Sequence, residues 1–174
     1  MKWSFIVIVA GACVSLVSAG CTPIPDPSAG LSPDAVVELI DHATPAALSP
    51  MDIAEAFALG TRATDVQREM LQSDLVGRAV DWRVPVYEVA YSNGRYQVTS
   101  QPIAITDTEA IPLIRIMAIV IPQGDTDDAQ LREVQTDDVV RLQGIVQEIR
   151  LRTVIVITPA VLIPTDELNL KERP

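Results

Sequence analysis

Apolar residues recur along this chain with three different spacings. From Trp3 to Val17 they run almost unbroken, between residues 33 and 76 they return every third or fourth position, and from Gly77 to Pro164 they largely alternate with polar ones. The second spacing puts side chains on one face of a helix, the third on one face of a strand. The pattern therefore predicts an N-terminal apolar segment, a helical region and a β region.

Three helix starts are written in the helical region. Ser32, Pro33 and Asp34 supply a capping hydroxyl, a proline at the first helical position and an acid in the first turn, ahead of an apolar face of Val36, Val37 and Ile40. Ser49-Pro50-Met51-Asp52 repeats that punctuation and predicts a helix through Ile53, Ala56, Phe57 and Leu59 that stops at Gly60. Thr64-Asp65-Val66-Gln67 is a capping box whose helix is expected to turn Val66, Met70 and Leu71 inward. His42, the only histidine, falls near the end of the first helix. There it would cap helix carbonyls and complement the dipole, and it has no second histidine or internal cysteine with which to hold a metal.

In the β region Val80, Trp82, Val84 and Val86 share one face and Asp81 and Arg83 the other; past Pro85 the apolar parity is expected to pass to Tyr87 and Val89. Ser92-Asn93-Gly94 is a hairpin turn, since Asn-Gly readily takes positive φ. The return strand should direct Tyr96 and Val98 inward, with Arg95, Gln97 and Thr99 outward. A connection from Pro102 to Pro112 leads to a third strand, Leu113 to Ile121, apolar enough to be central. Gly124 to Ala129 then opens a short helix over Gln130 to Val134. Its Asp-x-Asp spacing is not a calcium loop, which would need a ligand at Ala129 and a glycine at Gln130, so the acids are read as charging the helix N-terminus.

The stretch Val139 to Ile163 reads as a closing hairpin. Val140 and Leu142 oppose Arg141 and Gln143, and Gly144 predicts a bulge beyond which the apolar parity changes to Ile145, Ile149 and Leu151. Thr153 to Ile157 is almost continuous valine and isoleucine, as in a strand covered on both sides, and Pro159 is expected to weaken its pairing.

Length and composition bound the picture to one domain: 174 residues, 48% apolar, suffice for a core. Acidic residues number 23 against 13 basic; only Lys2 of the latter lies in the first twenty, so a chain starting at residue 21 carries 12 against 23, a net −11. Such a charge repels a phosphate backbone globally, and nucleic acid is not the expected partner.

Met1-Lys2 followed by the Trp3-to-Val17 run has the form of an export signal, shorter than the roughly 20 apolar residues of a bilayer span. Its end, Leu16-Val17-Ser18-Ala19-Gly20-Cys21, resembles a bacterial lipoprotein lipobox, with Ala19 and Gly20 matching its small residues and Ser18 standing where leucine is usual. The resemblance implies that Cys21 accepts a diacylglyceryl group, that a peptidase cuts before it and that the new N-terminus is acylated. The alternative is ordinary cleavage after Ala19, leaving Cys21 a free thiol. Cys13 lies inside the signal, so Cys21 has no intramolecular disulfide partner, and lipidation accounts for it. Thr22 after the cysteine, rather than aspartate, resembles lipoproteins sent on to the outer membrane, and the proline-rich Thr22 to Pro33 would be an extended tether.

Strand, strand, strand, short helix, strand, strand, preceded by helices, resembles the OB-fold, a five-stranded Greek-key barrel with its helix between strands three and four. The opening at Gly77 and the Val139-to-Gly144 spacing look like the bacterial OB family named for likeness to the tRNA-anticodon-binding domain, over residues 71 to 164. Many of its members are uncharacterised, so the resemblance implies a fold far more than an activity. The expected layout is mainly β with N-terminal helices: signal 1–20, tether 21–33, helical segment 34–76, barrel 77–164 and tail 165–174.

OB domains usually bind on the face of strands two and three, with the loops joining strands one to two and four to five. On that template Arg83, Arg95 and Arg115 would line the outer face, Arg152 would sit in the second loop, and Tyr87 or Tyr91 would offer stacking surfaces. The plainer reading makes these arginines solvated cross-strand partners of Asp81, Glu88 and their neighbours. There is no nucleophile elbow, P-loop or HExxH, and His42 alone cannot build a histidine triad. The chain is thus expected to be no enzyme and to need no cofactor or metal. The favoured role is an envelope lipoprotein, membrane-anchored and facing the periplasm, whose OB-like domain binds a protein partner or takes part in assembly. Next comes an exported module for oligosaccharide or single-stranded nucleic acid.

Overall fold

A computed structural model describes residues 30–58, 61–103 and 114–164. The signal, Cys21, most of the tether, the connection 104–113 and the tail 165–174 lie outside the described residues. The order is α1 (Pro33–His42), α2 (Pro50–Phe57), α3 (Asp65–Leu75), β1 (Ala79–Ser92), β2 (Arg95–Ser100), β3 (Arg115–Val120), α4 (Asp125–Glu133), β4 (Val139–Arg150) and β5 (Val154–Leu162). The strands close into a barrel in the order β1-β2-β3-β5-β4; β3 and β5 run parallel and the other pairs antiparallel.

The helix starts form as the sequence predicts. Ser32 accepts from the Ala35 amide, and Ser49 with Asp52 and Thr64 with Gln67 form reciprocal capping boxes. α2 ends at Phe57 with Ala58 extended beyond it, while Leu59 and Gly60 lie outside the described residues. His42 Nδ1 sits 2.7 Å from the Glu38 carbonyl, the capping position expected of it. In α3 the inward stripe is Arg68, Leu71, Gln72 and Leu75; Val66 and Met70, expected inside, are 65% and 68% exposed. α4 begins at Asp125, five residues before the predicted start, with Asp125, Asp127 and Asp128 in its first turn.

Val80, Trp82, Val84 and Val86 of β1 are buried with Tyr96 and Val98 of β2 in the barrel core. The first half of β1 pairs with β4, from Ala79↔Ile145 to Pro85↔Val139, and the second half with β2. Between them Tyr87 is an extra residue: Val86 faces Ser100, but Glu88 faces Thr99. This bulge changes the parity as expected and packs Val89 against the core, yet turns Tyr87 outward rather than inward.

β4 and β5 depart from the predicted register in three places. Parity on β4 changes between Val146 and Glu148, after Gly144, so Val146 stays in the barrel while Ile145 packs outside it with Val36 and Ile40 of α1. Leu151, expected inward, caps the β4–β5 turn at 93% exposure. Pro159 does not end β5: the extra residues Thr158 and Pro159 form a bulge against both β3 and β4, the setting in which a sheet accommodates proline, and the strand continues to Leu162. β5 is buried along nearly its whole length, as its continuous apolar run requires.

Candidate interaction face

The outer face of β1, β2 and β3 is built in cross-strand rows. Glu88, Thr99 and Met117 form one row, and Ala90, Gln97 and Ile119 the next. Arg115 opens β3, where its amide donates to the Thr153 carbonyl of the β4–β5 turn. Its guanidinium carbon lies 5.1 Å from the centre of the Tyr87 ring, a cation–π stack. Thr136 donates to the Tyr87 carbonyl at 3.0 Å, and Gln101 donates to Asp137 at 2.9 Å, tying the α4–β4 connection to β1 and to the end of β2.

Of the proposed ligand residues, the structure brings Tyr87 and Arg115 together and disperses the others. Arg83 stands on the β1–β4 side directly opposite Arg141, a like-charge pairing relieved by Asp81, whose carboxylate takes two bonds from Arg141 at 2.8 and 2.6 Å. The bonds from Arg141, above all, hold the Asp81 carboxyl below its ordinary range. Arg95 flanks the β1–β2 hairpin with Ser92 and Gln97 beside a cleft of about 430 Å³. Arg152 lies in the β4–β5 turn and reaches α3, donating to Asp65 at 2.7 Å, and that bond is the main reason the Asp65 carboxyl is lowered.

At least six of the ten arginines among the described residues ion-pair with a carboxylate, Arg68, Arg78, Arg132, Arg141, Arg150 and Arg152 among them. Asp81 is indeed paired across the strands, but with Arg141 and not with one of the arginines singled out in the sequence. A second aromatic cluster was not legible in the sequence, because it depends on where α4 docks. Tyr96 donates to Asp128 at 2.6 Å, Arg132 bonds the same carboxylate and lies 5.4 Å from the Tyr91 ring, and the two tyrosine rings are 4.8 Å apart. Burial, chiefly, pushes the Tyr96 hydroxyl upward, while the Arg132 bond is the first cause lowering Asp128. This cluster fastens α4 across the barrel end.

No group of three or more metal-binding side chains occurs among the described residues, and no helix there is long and apolar enough to cross a membrane. A closed five-stranded barrel in this order, with a helix between its third and fourth strands, is an OB-fold.

No protein-family model matches the sequence, nor does any curated protein. Among solved structures, a lipoprotein of Klebsiella pneumoniae subsp. pneumoniae, named as a candidate nucleic-acid binder, overlaps with a TM-score of 0.45 at 15% identity, over 75% of this chain and 97% of that one. Aspartyl-tRNA synthetase of Entamoeba histolytica overlaps at 0.35 and 15% identity, over 63% of this chain but 23% of the synthetase. An OBody solved bound to hen egg-white lysozyme overlaps at 0.33 and 16% identity, over 61% of this chain and 90% of its own. The strand order within this chain, rather than these partial overlaps, defines the class.

Proposed function

We propose that this chain is a non-enzymatic lipoprotein of the bacterial cell envelope, held to the membrane through Cys21, whose OB barrel engages a protein partner on the outer face of β1, β2 and β3. The supporting observation is the chemistry of that face. Thr99, Met117 and Ile119 are half-buried neutral or apolar side chains, whereas most arginines of the domain are held by its own carboxylates. A strand of nucleic acid needs a basic track lined with several stacking rings. A protein surface needs an apolar centre with few fixed charges.

A photo-crosslinking residue at Gln97, exposed on this face, tests the reading in the full chain within its native envelope. The expected result is one discrete protein adduct from Gln97 and none from a control at Leu39 on α1. An adduct destroyed by nuclease would replace the protein partner with nucleic acid, and equal labelling from both positions would sink the reading.

A further inference from the structure

The geometry points to Arg115 as the receptor for a single carboxylate of the partner protein, presented by the Tyr87 ring; this rests on the protein-partner reading above. Among the described residues the Arg115 guanidinium has no ion-pair partner, and what holds it is the stack on Tyr87. Arg62 and Arg83 are exposed, so water satisfies them; Arg115 is half-buried. A half-buried guanidinium whose fork meets no carboxylate among the described residues is suited to an acceptor from outside.

The support beneath it is local. The bulge at Tyr87 aims the ring outward, and Thr136 fixes the backbone there by bonding the Tyr87 carbonyl. Bulges that re-aim one side chain are common beside functional sites. The planar fork of arginine matches a carboxylate with two parallel bonds, and fixing the guanidinium in advance reduces the ordering cost of binding.

The surroundings select a single charge over a polyanion. Glu88 occupies the adjacent row, Asp137 bonds Gln101 nearby, and the chain as a whole is strongly acidic. Met117 and Ile119 follow Arg115 along β3 at every second position on the same face. The complementary segment therefore carries one acid followed by apolar side chains. Because the barrel is closed, that segment docks through side chains and not as an added strand.

Two measurements test this. In the crosslinking experiment at Gln97, Arg115→Gln and Arg115→Lys should each lower adduct yield about tenfold or more, as expected for losing a bidentate bond to a charged group. Arg83→Gln should leave the yield unchanged. An undiminished adduct in Arg115→Gln overturns the carboxylate role while leaving the partner reading intact; full adduct yield with Arg115→Lys overturns the bidentate geometry. Absence of any adduct from the unsubstituted chain removes both the reading and this inference.

The second measurement needs no variant. In nuclear magnetic resonance of the unsubstituted chain, acetate should shift the Arg115 Nε–Hε signal, and chloride at matched ionic strength should not. No shift with acetate overturns the proposal, as does a larger response to methyl phosphate than to acetate.

Discussion

Single residues set the two tightest points of the β4–β5 hairpin. A Cβ added to Gly144 would lie 2.6 Å from Ile157 Cγ2 and 2.6 Å from the Pro159 carbonyl oxygen, so β4 and β5 approach there as only glycine permits. Gly144→Ala should therefore cost about 1–3 kcal/mol, the range of core overpacking, read as a lower urea midpoint with unchanged slope. An unaffected midpoint would show that the strands separate without penalty. At the turn, Leu151 and Arg152 hold φ of 48° and 59°, left-handed values that a leucine adopts at a cost of about 1–2 kcal/mol. Leu151→Asn should relieve part of that strain and raise stability by up to about 1 kcal/mol, since the exposed leucine contributes little burial. The same midpoint measurement checks it, and a loss of stability would mean that Leu151 packs on something beyond the chain.

At the scale of elements, α3 is fastened to the barrel by charge as well as by Leu75. Asp65 accepts from Arg152 at 2.7 Å and from Arg68 at 3.2 Å, so one carboxylate joins the helix start to the β4–β5 turn. Its folded-state pKa is lowered, first by the Arg152 bond. The resulting stabilisation is present above the unfolded value of about 4 and is lost as pH falls through the lower folded value. Asp81, Asp128 and Asp52 shift in the same direction. Tm should therefore rise as pH is raised from about 2 to 4 and level off above about 5. Asp65→Asn should flatten that slope in part and speed amide exchange in the turn; an unchanged slope would remove Asp65 from the account. The same helix marks what was legible in the sequence. Its capping box needs only Thr64 and Gln67, three positions apart in the chain, so the start was readable. The face it buries is fixed by where the barrel receives it, and Arg68, whose aliphatic stem can be covered while its head bonds the Ala56 carbonyl, took an inward place that pattern reading gave to Val66 and Met70. The strands were likewise readable from alternation, their closure into a barrel from the resemblance to the OB-fold, and the parity change past Pro85 with them, whereas which residue bulges out, Tyr87, and the shift after Val146 depend on neighbouring strands. The candidate face was half legible for that reason: Tyr87 and Arg115 were both singled out, but their meeting depends on the Tyr87 bulge.

Across the whole molecule, the charge balance supports the proposed protein partner over a polyanion. The chain carries 23 acidic against 13 basic residues, and the cations that could offset this locally are largely consumed: Arg141 by Asp81, Arg132 by Asp128, and Arg68 and Arg152 by Asp65. An incoming phosphate backbone would have to break such pairs, leaving carboxylates beside it, and would gain little from counterion release. A fluorescent oligothymidine should therefore show no change in anisotropy with the full chain at low ionic strength, where electrostatic binding is strongest. Binding whose affinity falls steeply with salt would reverse this conclusion and require those arginines to leave their partners. A protein segment bearing one carboxylate asks for no such rearrangement, because Arg115 already stands on Tyr87 with its donors turned to no carboxylate among the described residues. The same charge balance that discourages a polyanion thus leaves Arg115, among the described residues, without a carboxylate of its own on a face whose next row carries Glu88.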